Sequence, residues 1–318
     1  MSQSPCHLIF GTYPLHKYPS EQLPEFFKIL QRHNITQIDT ASVYKNSEQI
    51  LGQLGTPKDF TIHTKAASWF PGRLARKPLI SGVLFSLYEL KVDSVDILFL
   101  HSPDTETPLE ETLSAVNELY LAGKFKRFGI SNFLPEQVEQ VISIATENKW
   151  ILPSVYQGNY NPVARRTEDT LFPLLRKHGL SFFAYSPLSG GFLTKDANVI
   201  REGVPGGRFD KDDNIGKIYH TLYSRPKLLA ALEKWDSVAK AAGVTRAALS
   251  YRWVAYHSAL KRDLGDGMIV GASRPAQLEE TLKAVEDGPL PETAVEAIEE
   301  IWEEVKDEAP LDNFNTEV

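Results

Sequence analysis

VDILFLHSPDTETPLEETLSAVNELYLAGKFKRFGISNFLPEQVEQVI, residues 95–142, holds two strand–helix units in succession. A short apolar run at 95–100 gives way to polar residues and then to a helical apolar period over 109–122. Gly123 closes that helix, a second apolar run follows at 126–130, and Pro135 opens the next helix. This order marks parallel strands joined by crossover helices. Followed outward, the alternation predicts further strands at 8–11, 37–39, 60–64, 154–157, 181–185 and 268–270. Helices are predicted at 21–32, 47–53, 78–90, 135–147, 168–178 and 275–285.

Eight strands close a barrel, so the predicted architecture is α/β, a single (β/α)8 TIM barrel spanning 1–318 as one domain. An open doubly wound sheet is the competing layout, but no Gly-x-Gly-x-x-Gly follows the first strand, where Gly11 runs into Thr12, Tyr13 and Pro14. The period lapses over 188–225 after strand seven, a long loop read as a lid or belt. Helical pattern resumes at 226–242 and 246–257, and a Glu-rich C-terminal helix at 292–305 precedes a polar tail. Its acidity reads as a solvated face.

Composition narrows the function. Basic residues number 34 against 41 acidic, a formal charge of −7 that repels phosphate backbones, so no nucleic-acid partner is expected. The first ten residues lack the basic and apolar regions of a signal peptide, and the longest apolar stretches, such as 97–100, are far short of a membrane span. A cytoplasmic protein without membrane association is expected. Cys6 stands alone, with no metal-ligand spacing around it, and no metal site is predicted.

In such barrels, reacting groups sit where strands end. Here those ends are polar: strand two ends at Asp39 with Tyr44 following in DTASVY, strand three at Lys65 in IHTKA, and strand four at His101 in ILFLHSPD. Singly, Asp39 would be a capping residue, Tyr44 a packing aromatic, Lys65 an ion-pair partner and His101 a buried histidine. Placed together on adjacent strand ends, they read as a catalytic set.

DTAxxY, the strand-terminal Lys and LH-x-PD together resemble the Asp–Tyr–Lys–His tetrad of the aldo-keto reductase superfamily. GKFKRFGISN (123–132), WILPSVYQGNYN (150–161), LFPLLRKHGLSFFAYSPLSGGFLT (171–194) and GASRPAQLEE (271–280) are most similar to its aflatoxin aldehyde reductase branch. The resemblance implies NADPH-dependent reduction of an aldehyde or ketone to an alcohol. Hydride addition leaves a developing alkoxide, and Tyr44 is the expected general acid. Bringing a phenol from about 10 to 7 takes about 3 units, or roughly 4 kcal/mol, which the Lys65 cation is expected to supply. Asp39 would pair with Lys65, and His101 would orient the carbonyl. His63, close to Lys65 on the same strand, is read as facing away.

By the same resemblance Ser131, Asn132 and Gln157 hold the nicotinamide carboxamide, and Tyr185 stacks on its ring. Ser186, Leu188 and Gly190 in SPLSGG would admit the diphosphate, clamped by Arg208 from VPGGRFD. Gly271, Ser273 and Arg274 lie after strand eight, where barrels often bind phosphate; a guanidinium suits a 2′-phosphate, hence NADPH over NADH, with Gln277 and Glu280 at the adenosine. Three departures stand out. The stretch after the tyrosine is shortened to KNSE, the family's Glu-Asn pair reads Glu280-Thr281, and the tail NFNTEV carries no arginine, so a carboxylate-bearing substrate is not expected. Tyr13, Trp69, Phe70 and Tyr223 are expected to line the mouth and to favour an aromatic or apolar carbonyl compound. The branch suggests a homodimer. Two competing functions are a nucleotide-binding sensor subunit with little turnover, and a barrel lyase or isomerase using Lys65 as a Schiff-base nucleophile.

Overall fold

A computed structural model describes residues 6–13 and 15–315. Part of the start read for a targeting segment, Pro14 after the first strand, and the last three residues of the tail lie outside the described residues.

The strands are β1 (His7–Gly11), β2 (Gln37–Asp39), β3 (Thr61–Ala66), β4 (Val95–Leu100), β5 (Phe125–Ser131), β6 (Pro153–Asn159), β7 (Ser181–Tyr185) and β8 (Gly267–Val270). They pair in parallel in sequence order, and β8 closes on β1, so the barrel is complete. Outside it lie α1 (Leu23–Arg32), α2 (Ser47–Gln53), α3 (Arg76–Leu90), α4 (Leu109–Leu121), α5 (Pro135–Glu147), α6 (Thr167–Thr170) and α7 (Phe172–Lys177). After β7 come α8 (Ala197–Glu202), α9 (Asn214–Tyr223), α10 (Pro226–Ala241) and α11 (Arg246–Tyr256); α12 (Pro275–Glu286) and α13 (Glu292–Val305) follow β8. Among the described residues no helix is long and apolar enough to cross a membrane.

Two apolar layers hold the fold. Ile9, Ile97, Phe99, Val155, Phe183 and Ile269 fill the barrel interior, while the outer strand faces meet helix stripes such as Phe26, Phe27, Ile29 and Leu30 of α1. Gly129 on β5 makes room inside, since a Cβ there would stand 2.3 Å from the Phe99 ring. The acidic α13 is not wholly solvated: Ala294, Ile298, Ile301 and Val305 are buried, and Lys234 pairs with Glu304.

Three readings need correction. The helix predicted over 168–178 breaks into α6 and α7, because Pro173 has no N–H to continue the ladder. The stretch 188–225 is mostly helical rather than loop, with a 3-10 turn at Ser189–Thr194, then α8 and α9, burying Phe192, Ile200, Phe209, Tyr219 and Tyr223. His63 does not face away. Side chains two apart on a strand share a face, so His63 lies inside the barrel with Lys65, its ring 5.7 Å from that of Phe183.

Burial pushes His63 down to about 3, so it is neutral in the folded protein. An unfolded histidine takes a proton below about 6.5. Stability is therefore full above that pH and falls as the pH drops from 6.5 towards 3, by on the order of 3 kcal/mol at pH 4.5. Thermal unfolding between pH 7 and 4.5 checks this: His63→Leu melts with a distinctly flatter pH dependence than wild type. An identical slope in both proteins would contradict it.

Candidate active site

Lys65 lies within β3, which runs two residues past the predicted 60–64, and its side chain points into the barrel with no solvent exposure. Its Nζ donates to Asp39 Oδ2 at 2.5 Å and to the Thr40 carbonyl at 2.8 Å. Asp39 Oδ1 accepts from Gln157 Nε2 at 2.9 Å, so strands β2, β3 and β6 are tied at one buried carboxylate. Hydroxyls brace the loop that leaves β2. Thr12 Oγ1 donates to the Asp39 carbonyl at 3.0 Å, Ser47 Oγ donates to Thr12 Oγ1 at 2.8 Å, and Ser42 Oγ donates to the Lys65 carbonyl at 2.9 Å.

That loop carries Tyr44. Left-handed Asn46 (φ 57°) turns the short KNSE segment directly into α2, and the Tyr44 ring centroid lies 5.0 Å from Lys65 Nζ. Edge-on contacts fix the ring, to Tyr13 at 5.2 Å and to His101 at 5.7 Å between centroids. Trp69 meets His101 edge-on at 5.6 Å. The Trp69 loop is held from below by Asp104, which accepts from the Gly72 and Leu74 amides at 3.1 and 2.9 Å.

The electrostatics separate the four groups. Burial on its own would lower Lys65, but the Asp39 carboxylate and the Tyr44 hydroxyl beside it hold it above its ordinary value, so it stays charged. Burial raises the Tyr44 phenol above its usual 10, against the pull of Lys65. This corrects the expectation of a phenol drawn down towards neutrality: desolvation is the larger effect, and Tyr44 holds its proton throughout the neutral range. Burial, then the Lys65 charge, lowers His101 well below its usual range, so the ring is neutral, with its buried Nδ1 unpartnered. The set thus offers a protonated phenol, a fixed cation beside it and a neutral imidazole, which suits protonation of a developing alkoxide.

Further round the rim, Asn132 takes the left-handed conformation (φ 62°), as does Ser186 (φ 54°), the kind of backbone strain found at functional sites. Asn132 Nδ2 donates to the His101 carbonyl at 2.8 Å and to Ser131 Oγ at 3.1 Å, and its Oδ1 accepts from Tyr185 Oη at 2.7 Å. Ser131, Asn132 and Tyr185 are therefore together, while Gln157 turns to Asp39. The Leu188 side chain packs against the core. At Gly190 the missing side chain is occupied by the Tyr219 ring, 2.1 Å from where a Cβ would be, so this glycine is explained by packing from α9.

Arg208 lies with its guanidinium 4.0 Å above the Tyr13 ring and donates to Tyr219 Oη at 3.4 Å, which puts it at the mouth. After β8, a Cβ on Gly271 would meet nothing within 4 Å. Ser273 donates from its amide and its hydroxyl to Gln277 Oε1, both at 2.8 Å. Arg274 is exposed at the N-terminus of α12 with no ion-pair partner among the described residues, and Glu280 is exposed one face on. An open glycine, an uncommitted guanidinium and a helix N-terminus together fit a phosphate group.

At the substrate end, Tyr13 and Trp69 are half-buried and Phe70 is 64% exposed. Tyr223 does not line the mouth: it is fully buried on α9, its hydroxyl donating to Asn159 Oδ1 at 3.4 Å. Its neighbour on the same helix face, Tyr219, reaches the rim instead, sharing a hydrogen bond with Ser186 Oγ at 3.0 Å. The tail also contributes, unforeseen. The Asn313 amide donates to Tyr185 Oη at 3.1 Å, Asn315 Nδ2 donates to the Asn132 carbonyl at 3.3 Å, and Phe314 stacks edge-on against Trp69 at 5.6 Å. The one local signal was Asp312, whose carboxylate caps the Phe314 and Asn315 amides in a turn.

Comparison with known proteins agrees with this geometry. Residues 7–303 match the model of the aldo/keto reductase family. Oxidoreductase sirO of Leptosphaeria maculans is 41% identical, over 91% of this chain and 88% of its own length. Aflatoxin B1 aldehyde reductase member 2 of Homo sapiens is 39% identical, over 86% of this chain and 80% of its own. Aldo-keto reductase family 7 member A3, also human, is 38% identical over 86% and 87%.

Proposed function

The chain belongs to the aldo/keto reductase family, is a carbonyl-reducing oxidoreductase of the type of the aflatoxin aldehyde reductases, and on that premise we propose that it uses NADPH to reduce an aromatic or apolar aldehyde or ketone. The observation that carries the reading is the buried, charged Lys65, paired with Asp39 and set against the ring of a protonated Tyr44. When bound, the cofactor supplies a hydride to the carbonyl carbon. Tyr44 gives its Oη proton to the carbonyl oxygen as the alkoxide forms, and takes one back in the oxidation direction. Lys65 stabilises the phenolate left behind, and Asp39 keeps the ammonium aimed and charged. His101, neutral, donates to the carbonyl oxygen and sets its orientation.

Ser131, Asn132 and Gln157 would hold the carboxamide, with Tyr185 against the nicotinamide ring. Ser186, Leu188 and Gly190 would line the diphosphate path, with Arg208 above it. Gly271, Ser273 and Arg274 would take the 2′-phosphate, with Gln277 and Glu280 beside the adenosine. Tyr13 and Trp69, with Phe314, give the mouth its aromatic walls. We read 1–318 as one domain working in the cytoplasm, a reducing compartment that suits a chain with a single cysteine.

NADPH oxidation followed over a panel of aromatic and aliphatic aldehydes tests the activity. Turnover with aryl aldehydes at the highest kcat/KM supports the reading; tight NADPH binding without turnover on any carbonyl would replace it with a sensor. Arg274→Ala tests the cofactor preference. Loss of a charge-assisted contact to the 2′-phosphate should raise the KM for NADPH about 10–100-fold and leave that for NADH unchanged. Equal effects on both cofactors would remove Arg274 from the phosphate site.

A further inference from the structure

The ring of Tyr13 is shared by two neighbours of different kinds. The Tyr44 ring meets it edge-on at 5.2 Å between centroids, and the Arg208 guanidinium lies 4.0 Å above it. Arg208 belongs to residues 203–213, an irregular stretch between α8 and α9. Gly203 and Gly206 turn that stretch with φ of 95° and 71°, and the Val204 amide closes it by donating to the Phe209 carbonyl at 2.8 Å. Phe209 is fully buried against the Phe192 and Tyr219 rings, which roots the stretch next to Arg208. The loop that leaves β1 grips it a second time, since Lys17 Nζ donates to the Gly206 carbonyl at 3.2 Å. The chain therefore runs in contact from 203–213 through Arg208 and Tyr13 to the proton donor.

We propose that Tyr13 is a positioning residue that couples cofactor retention to proton transfer, resting on the reading of Arg208 as the diphosphate clamp. A guanidinium stacked by its face keeps its N–H edges free for acceptors. Arg208 is laid out in this way on Tyr13. One edge N–H goes to Tyr219 Oη at 3.4 Å, and no carboxylate pairs with it among the described residues, so its remaining donors are available to an anionic oxygen. The same ring steadies Tyr44, whose other neighbours, Lys65 and His101, are fixed at strand ends. Seating of 203–213 over the cofactor and placement of the Tyr44 hydroxyl then share one part, and the proton donor is best aimed while the cofactor is held. A ring that only lined the mouth would act on the aldehyde and leave the cofactor alone; the stacking of Arg208 on Tyr13 is what points beyond that.

Stopped-flow release of NADPH from the full chain, followed by the nucleotide's own fluorescence and chased with excess NADP+, tests the coupling. Tyr13→Leu should speed release about tenfold, the effect of losing a partly desolvated cation–π contact, while Tyr13→Phe, which keeps the ring, should retain the slow release. Arg208→Gln should speed release at least as much. Tyr13→Leu added to Arg208→Gln should then change it less than about twofold, because the ring no longer carries the guanidinium. In single turnovers with saturating aryl aldehyde, Tyr13→Leu should also slow NADPH oxidation about tenfold. A Tyr13→Leu enzyme changed only in KM for the aldehyde, a Tyr13→Phe enzyme that releases as fast as Tyr13→Leu, or independent effects of the two substitutions on release would each overturn the coupling and leave Arg208 at the diphosphate. Wild-type release from Arg208→Gln would overturn the clamp itself, and the coupling with it.

Discussion

Tyr44→Phe lowers kcat for carbonyl reduction about a thousand-fold while NADPH affinity, read by quenching of protein fluorescence, stays within a few-fold of wild type. The substitution removes one oxygen, and with it the hydroxyl's interaction with Lys65, and leaves the ring with its edge-on contacts to Tyr13 and His101. A positioned proton donor contributes about 10²–10⁴ in rate, so its removal is read in kcat rather than in binding. His101 can still donate to the carbonyl oxygen, which is why activity is not abolished. The pH profile separates this site from one with an acidic phenol. Because burial outweighs Lys65 and holds Tyr44 above its ordinary value, the donor keeps its proton, and kcat/KM for the carbonyl stays level from pH 6 to 8.5. A phenol drawn to 7 would instead cost about tenfold per unit above that pH. A Tyr44→Phe enzyme with near-wild-type kcat would move the proton donor elsewhere, and His101 would be the next candidate.

Legibility followed sequence distance. The barrel was readable because each strand–helix unit is a local pattern, and Asp39, Lys65 and His101 because each lies at or next to the end of its own strand. The position of His63 was readable too: period two places it on the face of Lys65. Other features depend on chain segments far apart. Gln157 meets Asp39 across 118 positions and Asn313 meets Tyr185 across 128, pairings that no local period encodes. Tyr223 and Tyr219 differ by one helical turn, and only the packing of α9 against Gly190 decides that Tyr219 faces the rim while Tyr223 is buried beside Asn159. The direction of the Tyr44 shift was missed for a related reason. The neighbouring charge was visible in the sequence, but the extent of desolvation around the phenol is a property of the folded rim.

Lys65→Met should lower both stability and activity, and a second substitution should separate them. In the single variant Asp39, 2% exposed, keeps a carboxylate with no cation beside it, and the Thr40 carbonyl loses its donor. Breaking one side of a buried ion pair costs about 3–5 kcal/mol, which for a chain of 318 residues lowers Tm by roughly 5–8 °C. Activity falls by a comparable or larger factor than in Tyr44→Phe, since the phenolate formed on proton transfer then has a carboxylate and no ammonium near it. Adding Asp39→Leu removes the stranded charge. A buried pair replaced by apolar residues of similar volume is commonly neutral for stability, so the double variant should recover most of the lost Tm, stopping short because Gln157 Nε2 then lacks its acceptor. Turnover should not recover, because nothing replaces the cation. Differential scanning calorimetry alongside NADPH oxidation makes the comparison. Recovery of both properties in the double variant would mean Lys65 serves only to neutralise Asp39, and recovery of neither would mean the site tolerates no apolar pair; stability without turnover is the signature of a cation kept buried, at a cost to the fold, for what it does to Tyr44.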